Sequence, residues 1–217
     1  HLIGNVSALL WGLLGLAIKG GLWIGFAGCF LGMALGGIDY RRRDMTAIVI
    51  CLPLLYLIGV TLINSPFDPA TKQLPAVYFS ETWEWKTSGD VKPRFECWGG
   101  LLLAMTGLLI YSGLVRQDRL AWRLGIAGLI GGAIGFPAGQ CLQANHAWNP
   151  EWYRSGIFAS LDDHLNWWNM MEITFGTIMG AMLGLAVWLN RHLINVRSLL
   201  APAQSAVVDG LTIVTHV

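Results

Sequence analysis

Leu16-Ala17-Ile18-Lys19-Gly20-Gly21-Leu22-Trp23 interrupts a long apolar stretch near the start of the chain, and its reading decides how often the chain crosses a membrane. An unbroken helix through both flanks would run to about 57 Å at ~1.5 Å per residue, nearly twice a ~30 Å hydrocarbon core. One crossing cannot use that length, so Lys19-Gly20-Gly21 reads as a tight hairpin between segments 2–18 and 21–38. Four further apolar segments follow at 46–63, 98–115, 120–142 and 168–189. Each is close to the ~20 residues a crossing needs. The expected fold is all-α, a polytopic helical membrane protein of about six spans.

Composition supports that class. Apolar residues make up 54% of the 217 residues and charged residues 12%, about half the charge of a soluble domain. The 27 Gly and 11 Trp add the enrichment typical of membrane helices and their interfaces. A net charge of +1, with no basic stripe, argues against a nucleic-acid partner. The chain opens at His1 on an apolar run, without the basic region or small-residue cleavage site of a secretory signal, and is expected to be trimmed or part of a longer protein.

The connections sort by charge. Arg41, Arg42 and Arg43, then Arg116, Arg119 and Arg123, then Arg191 and Arg197 fall on one side of the six-span scheme. The opposite loops, 64–97 and 143–167, carry five basic and eight acidic side chains. The positive-inside rule makes the arginine side cytoplasmic, with both termini inside, as in a bacterial inner membrane. Both outer loops are longer than a hairpin needs. Their aromatics, Tyr78, Phe79, Trp83, Trp85, Trp148, Trp152, Tyr153 and Trp167, suit loops folded onto the membrane surface or a partner. Residues 1–195 form the membrane domain. Residues 196–217 read as a cytoplasmic tail or the start of a further segment.

Three glycine columns of period four stand out: Gly28-Gly32-Gly36, Gly131-Gly135-Gly139 and Gly176-Gly180-Gly184. Residues four apart share a helix face, and a face without side chains lets another backbone approach closely. One step further along two columns lie Gln143 and Glu172. Glu172 is thus expected to face protein near the outer surface, paired with Gln143 or Lys19. The other readings make it a proton or ion site, or the rim of an outer pocket.

The loop before it supplies His146, Glu151, Asp162, Asp163, His164, Asn166 and Asn169. Such residues can ligate a metal or run acid–base chemistry, and equally can cap the following helix. No His lies within the six segments, which disfavours haem or pigment ligation there. No GxxxxGK[ST], HExxH, GxSxG or CxxC motif is present, and no cofactor is expected. Cys97 and Cys141 both fall at outer ends, where either a disulfide or two free thiols fits. The favoured function is an integral membrane subunit or scaffold that packs against partner proteins, further copies of itself, or lipid. The alternatives are a small transporter using Glu172 and an enzyme acting on lipid or sugar headgroups through residues 143–169.

Overall fold

The structure is a computed structural model that describes residues 6–71, 73–79, 94–155, 159–162 and 164–195. Trp83, Trp85, Asp163, Arg197 and the 196–217 tail lie outside the described residues. Five long helices carry the fold: α1 (Val6–Leu35), α2 (Arg42–Ile63), α3 (Trp98–Leu109), α4 (Arg119–Trp148) and α7 (Trp167–Leu189). The short helices α5 (Pro150–Tyr153) and α6 (Ala159–Asp162) lie between α4 and α7. With the π-helical turn Ile110–Val115 that continues α3, all five are long and apolar enough to cross a membrane.

The count corrects the expected six. Residues 18–22 run straight through α1, so Lys19-Gly20-Gly21 is no hairpin. The glycines serve packing instead. A Cβ on Gly20 would stand 2.4 Å from that of Phe136, and one on Gly21 would stand 2.8 Å from the Leu129 carbonyl oxygen. Lys19 is tolerated within the span because Glu96 neutralises it. With α1 unbroken, Val6 lies at the end of that helix opposite the turn of Arg41, Arg42 and Arg43, so the expected arrangement with both termini on one side no longer follows.

The helices pack in the order α2–α3–α1–α4–α7, with α2 and α7 at the ends of the row. The centre of the core joins Leu22, Cys29 and Met33 of α1 to Leu101, Met105 and Leu108 of α3. Glycine on both partners brings α1 and α4 together. A Cβ on Gly28 would lie 2.1 Å from the Leu124 carbonyl oxygen, and one on Gly128 would lie 2.2 Å from that of Ile24. The α4 column Gly131-Gly135-Gly139 faces Met171, Phe175, Met179 and Met182 of α7. The same helix turns a second glycine face, Gly125, Gly128 and Gly132, toward α1.

The α2–α3 hairpin is closed by Asn64, whose Oδ1 accepts the Gly99 N–H at 2.9 Å. The segment joining these helices returns into the row. Tyr78 and Phe79 are buried, with the Phe79 ring 4.8 Å from Trp11 and 5.4 Å from Trp98. Trp11 Nε1 donates to the Tyr78 carbonyl at 2.9 Å. Gly15 of α1 leaves the space that Phe79 fills.

Candidate functional site

The residues singled out from sequence do not converge on one site. Glu172 is exposed, and its Oε1 accepts the Trp168 Nε1–H of its own helix at 2.9 Å. Neither expected pairing forms. Gln143 is half-buried, and the amide that reaches α7 is that of Gln140, on Met171 Sδ. Lys19 binds Glu96 on the far side of α1. Glu172 continues the column Gly176-Gly180-Gly184, and those three glycines have no atom within 4 Å of a notional Cβ. The first two columns meet neighbouring helices; this one faces away from the chain.

The outer loop does gather some of its residues. His146 at the end of α4 meets Asp162 of α6, with Nε2 and Oδ1 2.8 Å apart. The same oxygen accepts Trp167 Nε1–H at 2.8 Å. His146 stacks on Trp167 at 4.4 Å, and Tyr153 closes the cluster edge-on to both rings. The Trp167 hydrogen bond, then the His146 hydrogen bond, holds the Asp162 carboxyl below its usual range. His164 turns back to the Ser160 carbonyl, and Asn169 is exposed, its backbone N–H capped by Asn166. Among the described residues no group of three or more His, Cys, Asp or Glu side chains is placed to hold a metal.

Cys97 and Cys141 are both free. Cys97 is half-buried and packs, with Tyr56 of α2, against the central core, whereas Cys141 is exposed on α4. Helix α1 packs between α3 and α4, which separates the two thiols.

The most connected polar cluster lies at the arginine end, and sequence reading missed it. Asp118 caps α4, its Oδ1 accepting the Ala121 N–H at 2.9 Å, while its Oδ2 accepts the Tyr40 hydroxyl at 3.0 Å. Asp44 of α2 accepts the Tyr111 hydroxyl and the Arg41 N–H, each at 2.8 Å. Arg116 lies 3.6 Å from Asp44 and 5.4 Å from the centre of the Tyr40 ring. Its guanidinium also donates to the Asp39 carbonyl. Burial, and then the Asp118 charge, raises the Tyr40 phenol well above its usual range, so Tyr40 keeps its proton and donates it. Two local features shape the cluster: the π-helical turn Ile110–Val115, and Gln117, whose φ of 52° turns the chain from α3 into α4.

Both carboxylates are buried and engaged, which makes this a structural tie of the α1–α2 connection and α2 to the turn between α3 and α4. Asp118→Ala removes a helix cap and strands the Tyr40 hydroxyl, together worth about 2–4 kcal/mol. Asp118→Asn keeps an oxygen for the Ala121 N–H and turns an amide N–H toward the Tyr40 hydroxyl oxygen, which can accept it, so it should cost less. Thermal unfolding in detergent should separate the two, and equal melting would remove the cap from this account. The cap was legible, since Asp118 stands two residues before the apolar segment that begins at Leu120. Its pairing with Tyr40 was not.

Comparison with known proteins found no matching family model, no matching curated protein and no matching solved structure.

Proposed function

We propose that the chain is an integral membrane subunit or scaffold without chemistry of its own, and that α7 presents the face that receives a partner helix. The observation that supports this most directly is the open column Gly176-Gly180-Gly184, continued by the exposed Glu172. Lipid gains nothing from a glycine column, whereas a second helix gains close backbone contact. A carboxylate on that face is costly against hydrocarbon and favourable against a basic or amide side chain. The partner that fits is therefore a membrane helix with small residues and a Lys, Arg, Asn or Gln near its outer end. The positive-inside rule supports a reading with that end outside the cytoplasm and the α7 C-terminal end inside, as in a bacterial plasma membrane.

The transporter alternative has less support. Glu172 faces away from the other helices, and Glu96 is already engaged with Lys19 and the Phe79 N–H. The headgroup-enzyme alternative lacks an open acid–base pair, because Asp162 is taken up by His146 and Trp167.

Gly180→Leu should leave the melting of the isolated chain unchanged and abolish its co-purification with a partner from native membranes. Leu185→Phe, also on an exposed position of α7, should retain the complex. Retention of the partner by Gly180→Leu would overturn the assignment of this face.

A further inference from the structure

We infer that Trp148, Trp152 and Trp168 form a lipid anchor, seated among the headgroups of the leaflet opposite the arginine turns and joined through the His146–Asp162 cluster. All three indoles are exposed, at 54%, 71% and 56%. Exposure alone does not say what covers them; the register of α7 does. Trp168 and Trp188 are twenty residues apart on one helix. At ~1.5 Å per residue that is about 30 Å, the thickness of the hydrocarbon core. Both are exposed, and Arg191 stands 5.0 Å from the Trp188 ring at the arginine end. Trp168 therefore marks the opposite boundary, where indoles prefer to lie.

The other two indoles reach the same level through the outer cluster. Trp167 stacks on His146 of α4, and Trp148 lies two residues beyond His146. Tyr153 packs edge-on to Trp167 at 4.6 Å, and Trp152 precedes it. On the one turn of α5, Tyr153 points into the cluster and is buried, which leaves Trp152 on the outside. Glu151 and Arg154 are exposed beside it and supply both signs of charge, as a zwitterionic headgroup layer requires. Asp162 takes both His146 and Trp167 on one oxygen and so ties α6 to the facing ends of α4 and α7. The occupant of this face is lipid; Trp168 borders the glycine column through its bond to Glu172, whereas Trp148 and Trp152 lie on α4 and α5, away from that column.

Fluorine NMR of the fluorotryptophan-labelled chain in lipid nanodiscs tests this directly. The three resonances are assigned by their loss in Trp148→Phe, Trp152→Phe and Trp168→Phe, which alter only exposed rings. A nitroxide carried on the lipid headgroup should erase all three while sparing the buried Trp98. Erasure of Trp148 and Trp152 by a water-soluble gadolinium chelate, with no response to the lipid nitroxide, would overturn the proposal in favour of a solvent-facing loop. Resistance to both probes would overturn it in favour of a protein cover.

Discussion

Gly28→Leu is expected to cost the folded chain more than about 3 kcal/mol, at or beyond the upper end of what overpacking a core costs. The Cβ alone would sit 2.1 Å from the Leu124 carbonyl oxygen, and a backbone atom has no rotamer by which to escape. Helices α1 and α4 must then part along their length, which loosens Gly32 from Ala121 and Gly128 from Ile24. Even Gly28→Ala should destabilise. The better helix propensity of alanine returns about 1 kcal/mol, less than the lost α1–α4 contact. At Gly176 or Gly184, where nothing approaches, the same alanine meets no obstacle and should be neutral or mildly stabilising. Unfolding followed by circular dichroism in detergent gives all three values. Equal tolerance at Gly28 and Gly176 would mean that α1 and α4 do not touch as described.

That contrast shows what the sequence could and could not reveal. Period-four glycines report a smooth helix face, so the three columns were visible from spacing alone. Which neighbour fills a face depends on the order of helices in the row, and nothing local encodes that order. Gly176-Gly180-Gly184 has the same spacing as Gly28-Gly32-Gly36, yet one is open and the other closed. The second glycine face of α4 was overlooked because Gly125, Gly128 and Gly132 alternate steps of three and four. The membrane class and four of the span positions followed from apolar runs that need no partner to be read. The polar ties were less accessible. Tyr40 and Asp118 are 78 residues apart, as separate in sequence as they are adjacent in the fold. Alone, Tyr40 and Asp118 are each a polar residue beside arginines, and nothing in either neighbourhood points to the other. Glu172 differs from expectation for a related reason: its spacing from Gly176 fixes its helix face, but not whether a helix of the same chain lies against that face.

Lys19→Met provides the sharpest test of the single first helix. Its ammonium pairs with Glu96 Oε1, whose other oxygen accepts the Phe79 N–H at 2.9 Å, and the Glu96 side chain is 2% exposed. Removing the lysine leaves a buried carboxylate without its counter-ion, a change that costs about 3–5 kcal/mol. Glu96→Gln should be milder. It still offers an oxygen to the Phe79 N–H, and Lys19, at 29% side-chain exposure, can turn its amine toward water. The pair Lys19→Met with Glu96→Leu should cost less than the two single changes summed, because neither charge is then left alone. Phe79 and Tyr78 are carried on the segment that Glu96 holds against α1, so loss of the ion pair should also free that segment to proteolysis at the outer face. A hairpin at Lys19-Gly20-Gly21 would have put the lysine in a hydrated turn, where methionine is nearly silent. Unchanged melting of Lys19→Met would therefore refute the ion pair and favour a hydrated turn at Lys19: an unbroken α1 carries Lys19 into the span, and Glu96 is the group that neutralises it there.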